Sequence, residues 1–174
     1  MSSNPDSGAA MEAEALPESA KRVAGLLAEI GHDRPVVMLP ATGKTSAEAA
    51  AGLGCSVAEI AKSIIFRRVA DDAPVLVIAS GSNRVDEAKV AARVGELGKA
   101  DARFVREKTG YAIGGVCPIG HAVPPVMLLD QDLFRYESLW AAAGHPHAVF
   151  NLTPQQLQQM TGAEVADVAA GAAA

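Results

Sequence analysis

Cysteine is scarce in this chain, with two among 174 residues. Cys55 and Cys117 are too few for a disulfide framework and stand in no CxxC spacing, so both read as reduced thiols rather than as a staple or a zinc ribbon. The four histidines, His32, His121, His145 and His147, form no HExxH pair and have no acidic residues at matching spacing, which argues against a structural or catalytic metal. No cofactor motif stands in for one: there is neither a GxGxxG nor a GxxxxGK[ST] loop. Aromatic residues make up only 4%, so the expected core is Val, Ile and Leu, with Phe66, Phe104, Phe134, Trp140 and Phe150 as its large pieces. No apolar run approaches about eighteen residues, and the N-terminal segment with Asp6, Glu12 and Glu14 lacks the basic and apolar regions of a signal peptide. A cytoplasmic protein without a membrane partner is expected. Positive charge is in deficit, with 15 basic against 20 acidic residues and a net charge of -5, which disfavours broad binding to a polyanion such as DNA.

The remaining composition, 49% hydrophobic and without a break, supports one domain over 16–170 preceded by a mobile tail over 1–15. Pro17 opens an amphipathic helix carrying Val23, Leu26, Leu27 and Ile30, stopped at Gly31. Pro35 to Leu39 reads as a short buried strand. Thr45-Ser46-Ala47-Glu48 and Ser56-Val57-Ala58-Glu59 are capping boxes that place two short helices around Gly52-Leu53-Gly54. Ile64 to Val69 and Pro74 to Ala79, separated by Ala70-Asp71-Asp72-Ala73, suit an antiparallel hairpin. Helices follow over Val85 to Val94 and up to Thr109. Strands are expected over Val126 to Leu129 and Ala148 to Leu152, then a helix capped by Thr153 with Gln156. Strands interleaved with short helices predict an α+β fold with a mixed, mainly antiparallel, barrel-like sheet.

Two features carry chemistry. Lys62, in Ala61-Lys62-Ser63-Ile64-Ile65-Phe66, sits at a helix-to-strand junction at the mouth of an apolar run, where an amine is costly to desolvate. It is either the solvated end of a helix or a functional cation. The second is Gly110-Tyr111-Ala112-Ile113-Gly114-Gly115-Val116-Cys117-Pro118-Ile119-Gly120-His121. Its adjacent glycines permit positive φ and close approach, and Pro118 fixes its exit. Such a loop is either a rim of amides and carbonyls that holds a substrate or a tight bend in the sheet.

Taken together, Ala61-Lys62-Ser63, Ser80-Gly81-Ser82-Asn83-Arg84-Val85-Asp86, the Thr109 to Gly120 loop, Gly144-His145-Pro146 and Leu152-Thr153-Pro154-Gln155-Gln156-Leu157 resemble the YbaK/ProX family of freestanding aminoacyl-tRNA deacylases, related to the editing insertion domain of bacterial prolyl-tRNA synthetase. The resemblance covers roughly residues 20 to 168. It implies hydrolysis of the ester joining a wrong amino acid to a tRNA, with the acceptor end of a mischarged tRNA as partner and a prolyl-tRNA synthetase as a possible second. By resemblance Lys62 anchors the substrate, and Gly114 and Gly115 shape the catalytic loop. Ser63, Asn83, Pro118, Gly120, His121 and His145 are the implied substrate-binding positions, although Asn83 and Asp86 also read as helix caps. Ser63 departs from the threonine or asparagine of several relatives, which leaves the choice of amino acid open among alanine, 2-aminobutyrate and cysteine.

An aminoacyl ester is already activated, so placing water and stabilising an oxyanion suffices. That suits a chain with no GxSxG elbow and no cysteine in a nucleophile's context. Arg67, Arg68, Arg84, Lys89, Arg93, Arg103, Arg106 and Lys108 lie between the lysine and the loop as a candidate local patch for tRNA. Two other classes stand beside deacylation: a non-catalytic tRNA- or synthetase-binding module, and a Schiff-base enzyme using Lys62 as nucleophile.

Overall fold

The computed structural model describes residues 16–40 and 45–171; the tail expected over 1–15 lies outside the described residues. Helix α1 (Glu18–Glu29) follows Pro17 and buries Ala20, Val23 and Leu27. Strand β1 (Val36–Met38) leads to α2 (Ser46–Leu53), capped by the Thr45 hydroxyl, which accepts from the Glu48 amide at 3.1 Å. Gly54 ends it in the left-handed region at φ 69°, a geometry that suits glycine. A 3-10 turn (Val57–Glu59) then delivers the chain to β2 (Ile60–Arg68), which turns through a hairpin into β3 (Pro74–Ser80). Next come α3 (Glu87–Val94), β4 (Leu97–Gly98), α4 (Ala102–Thr109), β5 (Val126–Asp130), a 3-10 turn (Gln131–Arg135), β6 (Leu139–Ala142), β7 (Ala148–Leu152), α5 (Pro154–Thr161) and β8 (Glu164–Ala166).

The strands form one sheet in the order β1-β7-β6-β2-β3-β5-β8, with β4 also paired to β2. Four of its pairings are antiparallel (β1/β7, β6/β7, β2/β3 and β2/β4) and three parallel (β2/β6, β3/β5 and β5/β8). The α+β class with a mixed, mainly antiparallel sheet is therefore what folds. β3 is its spine: all of Pro74 to Ser80 is buried, and each of Val75, Leu76, Val77 and Ile78 removed from water stabilises the fold by about 1.5–3 kcal/mol.

Several expectations need correction. The strand expected over 35–39 is, among the described residues, an edge strand paired to β7, and it is half-buried, with Met38 42% exposed. Of the five expected large core residues only Phe150 is fully buried; Phe66, Phe134 and Trp140 pack partly buried against the clusters, and Phe104 is half-buried. Tyr111, read as part of a loop, is among the largest fully buried side chains. It is buried because its hydroxyl finds a partner, donating to the Ile119 carbonyl at 2.7 Å. Strands β4, β6 and β8 escaped the sequence reading, being two to four residues long and short of a full period-two pattern.

Candidate functional site

The site begins with a gap in the sheet. One edge of β2 is paired to β3 from Ala61↔Ser80 to Arg67↔Pro74. On the other edge β6 pairs only at Ile60 and Ala61, and β4 only at Arg67 and Arg68. Between them, residues 62–66 have no strand on that side among the described residues. A cleft of about 170 Å³ opens where β6 diverges, and Lys62, Ser63, Gly114, Val116, Trp140 and Pro146 are among the residues that line it. A second recess of about 230 Å³ adjoins it, sharing Ser63, Gly114 and Val116 and adding Ile64, Ile65, Val105 and Ile113. The lysine and the glycine loop, about fifty residues apart in the chain, thus share one hollow.

Lys62 lies inside β2, two residues past its start, rather than at the helix-to-strand junction expected. Its ammonium donates to the main-chain carbonyl of Asn83 at 2.5 Å. Burial lowers its pKa from the usual lysine range, and the negative charge of Asp130 works in the opposite direction. Ser63, next along the strand, has a buried hydroxyl with no hydrogen-bond partner among the described residues. A buried orphan hydroxyl costs stability, so Ser63→Ala is expected to raise unfolding stability by about 1 kcal/mol, read by thermal or denaturant melting. A fall of similar size would show that the hydroxyl is satisfied in the folded protein.

The loop divides into two halves. Gly114 lines the cleft at φ 85°. Gly115 donates its amide to the Ala112 carbonyl at 2.9 Å, whereas the Gly114 amide has no partner among the described residues. The expected rim of free amides is therefore narrower than the sequence suggests. A Cβ on Gly115 would lie 2.9 Å from the Cα and carbonyl carbon of His145, so this glycine lets the loop rest directly on the Gly144–Pro146 segment. The half-buried His145 is thus placed behind the loop, and its Nδ1 accepts from the His147 amide at 3.1 Å.

The second half of the loop faces α1 instead. The Gly120 carbonyl accepts from Arg22 at 2.6 Å, and a Cβ there would meet the side chain of Leu26. His121 bonds the Cys117 carbonyl through Nε2 at 2.6 Å and sets its ring edge-on to Tyr111; burial pushes its pKa below the usual imidazole value. Pro118, Gly120 and His121 do not line the cleft. Gly120 and His121 brace the loop from behind and Pro118 is buried within it, a distinction that sequence position alone could not draw. Asn83 does not line the cleft but touches it indirectly, through the carbonyl that accepts from Lys62, and it is no helix cap; Asp86 is the cap of α3.

Neither thiol is poised to attack. Burial pushes Cys117 up to about 12, and burial and Glu59 raise Cys55; a raised pKa withholds the nucleophilic thiolate at neutral pH. The basic patch also contracts in three dimensions. Arg67, Arg68, Lys89, Arg93 and Arg103 are paired with Asp72, Asp71, Asp167, Glu164 and Glu107 respectively. Among the described residues, Arg84, Arg106 and Lys108 are the members of that group without a carboxylate partner. The sequence reading missed Asp130, a fully buried carboxylate at the end of β5. Its signal was there: an acidic residue closing the apolar run Val126-Met127-Leu128-Leu129.

Residues 41–160 match the family model of the aminoacyl-tRNA editing domain. A structure described as "a putative trans-editing enzyme for prolyl tRNA synthetase" is 44% identical, with a TM-score of 0.85 over 90% of this chain and all of that one. The uncharacterized protein YwhH of Bacillus subtilis (strain 168) is 31% identical over 148 residues, 84% of this chain and 94% of its own length. The structure of hypothetical protein APE2540 is 29% identical, with a TM-score of 0.76 over 88% of this chain and all of that one.

Proposed function

This chain belongs to the aminoacyl-tRNA editing domain family, and from that premise we propose that it is a trans-editing hydrolase that removes a small, wrongly attached amino acid from tRNA. The observation that carries the reading is the meeting of Lys62 and Gly114 in one cleft. A cation there can hold the terminal ribose, a phosphate oxygen or the ester itself. The Gly114 amide is free to meet the carbonyl oxygen as it gains negative charge, which is where preorganised donors lower a barrier most. Water then attacks the ester carbon and the ribose oxygen leaves. No covalent intermediate is needed, in keeping with the raised pKa of both thiols.

The adjoining recess, walled by Ile64, Ile65, Val105 and Ile113, supports a small aliphatic side chain, alanine or 2-aminobutyrate, with cysteine the next candidate, carried on tRNA for proline. Discrimination by a methylene is worth about 1–3 kcal/mol, so the preference is expected to be graded rather than absolute. A prolyl-tRNA synthetase is the natural source of such mischarged tRNA and a candidate partner.

The test is a panel of tRNAs charged with alanine, cysteine, serine, 2-aminobutyrate and proline, incubated with purified protein and assayed for remaining ester. Alanine or 2-aminobutyrate is expected to be released fastest, with proline retained. If every charged tRNA survives while still shifting on a gel, the protein is a binding module. The lowered basicity of Lys62 favours one further reading, a Schiff-base enzyme. Borohydride with a small carbonyl substrate would then add mass to the Lys62 peptide; none is expected.

A further inference from the structure

Asp130 is a puzzle that deacylation does not by itself explain. Its carboxylate is fully buried, and none of the ion pairs among the described residues includes it. An ionised carboxylate away from water is costly unless its oxygens are satisfied and its charge is answered. The oxygens are satisfied. Oδ2 accepts from the Ser80 amide at 3.0 Å and from Asn83 Nδ2 at 2.8 Å, and Oδ1 accepts from the Asp132 amide at 2.9 Å.

The two donors on Oδ2 are the two ends of one turn. Ser80 closes β3, and its carbonyl accepts from the Asn83 amide at 2.9 Å. One carboxylate oxygen thus clamps the Ser80–Asn83 turn at both ends, while Gly81 ties it to the Ile60 carbonyl of β2 at 2.7 Å. The clamped turn presents the carbonyl that receives the Lys62 ammonium. Asp132 also accepts from Asn83 Nδ2, at 2.9 Å, but its charge is answered by Arg135 at 3.2 Å. The buried charge acts on Lys62, opposing the effect of burial on the amine.

We propose that Asp130 is a positioning residue for the Lys62 site, its buried carboxylate fixing the Ser80–Asn83 turn so that the Asn83 carbonyl holds the ammonium of this cleft-lining lysine in one place. A second effect follows from its charge, which opposes the burial of Lys62 and helps keep the amine protonated. The charged groups on this network are Asp130 from β5 and, hydrogen-bonded to the Asn83 side chain from the following 3-10 turn, Asp132 with its partner Arg135; Arg84 follows Asn83 in the chain. The inference rests on the deacylase reading for its consequence in catalysis, but not for its geometry.

The experiment therefore has two readouts on full-length Asp130→Asn and Asn83→Ala. The first is the pH dependence of Lys62 acylation by acetic anhydride, followed by mass spectrometry of its peptide. The second is hydrolysis of alanyl-tRNA. In Asp130→Asn the Lys62 labelling midpoint is expected to fall by about one pH unit, equivalent to about tenfold faster labelling near neutrality, and kcat is expected to fall by about tenfold or more. Asn83→Ala leaves the buried charge and the backbone carbonyl in place but removes one end of the clamp, so labelling is expected to rise and kcat to fall there too. Should Asp130→Asn fail to fold, Asn83→Ala decides. Unchanged Lys62 labelling in the variants that keep the wild-type circular dichroism overturns the proposal. Altered labelling with a wild-type protein inert toward every charged tRNA would leave the positioning role standing and remove the deacylase reading instead.

Discussion

Lys62→Ala is expected to reduce hydrolysis of mischarged tRNA by about 10²–10³-fold, the cost of losing one preorganised electrostatic contact in a catalytic cleft, with the thermal midpoint moving by no more than a few degrees. The two outcomes separate because the site and the core make different demands on this residue. The ammonium is half-buried, and its desolvation opposes folding. Truncation removes that cost together with the bond to the Asn83 carbonyl, which cleft water can replace. Lys62→Arg is not expected to restore the rate, since a planar fork cannot occupy the position of a compact ammonium.

The sign of the pH dependence follows. Activity that needs the cationic form falls as pH rises through the folded-state pKa, which lies below the ordinary 10.5. Stability moves the other way. A lysine whose pKa is depressed by folding binds fewer protons in the native state, so its contribution becomes less unfavourable as pH climbs from the folded toward the unfolded value. Alkaline loss of enzymatic turnover, corrected for spontaneous ester hydrolysis, is therefore expected without loss of fold through this residue. Full turnover in Lys62→Ala would end the assignment.

Gly115→Ala is expected to damage both stability and activity. Its new methyl would stand 2.9 Å from the Cα and carbonyl carbon of His145, and backbone atoms cannot rotate aside as a side-chain tip can. Either the loop lifts or the Gly144–Pro146 segment retreats, at a cost of about 1–3 kcal/mol, and lifting widens the distance between Gly114 and Lys62. A melt and an alanyl-tRNA assay on the same preparation check it, with Gly114→Ala as comparison. There the nearest atoms are those of Pro146 at 3.9 Å, so only the backbone strain of φ 85° is felt, about 1 kcal/mol. If Gly115→Ala were no less stable than Gly114→Ala and as active as the wild type, the close approach to His145 would have no functional consequence.

Where local chemistry decided the outcome, the sequence spoke clearly. The caps at Thr45, Asp86 and Thr153 and the hairpin through Asp71 and Asp72 are set by residues within a few positions of one another. The pairing of Lys62 with a glycine loop far along the chain was legible for another reason, because the family pattern carries both. What required three dimensions was left unread. Asp130 gains its meaning from a turn 50 residues earlier in the chain. Gly120 and Gly114 are alike as letters, yet one rests on Leu26 and the other opens to the cleft. The basic residues counted as a tRNA surface are mostly neutralised by carboxylates, two of them from distant elements: Lys89 meets Asp167 and Arg93 meets Glu164.

The long ladder between β2 and β3 has one more implication. Side chains along a strand alternate in direction with each residue, and the pairing from Ala61↔Ser80 through Arg67↔Pro74 permits no half-steps. The bearing of the amine is in effect indexed like a tooth on a gear. Removing one residue between the lysine and the hairpin, Ile65 for example, would leave Ala61-Lys62-Ser63 intact and still point the lysine at the opposite side of the sheet, whereas removing a residue ahead of Ile60 would leave its aim untouched.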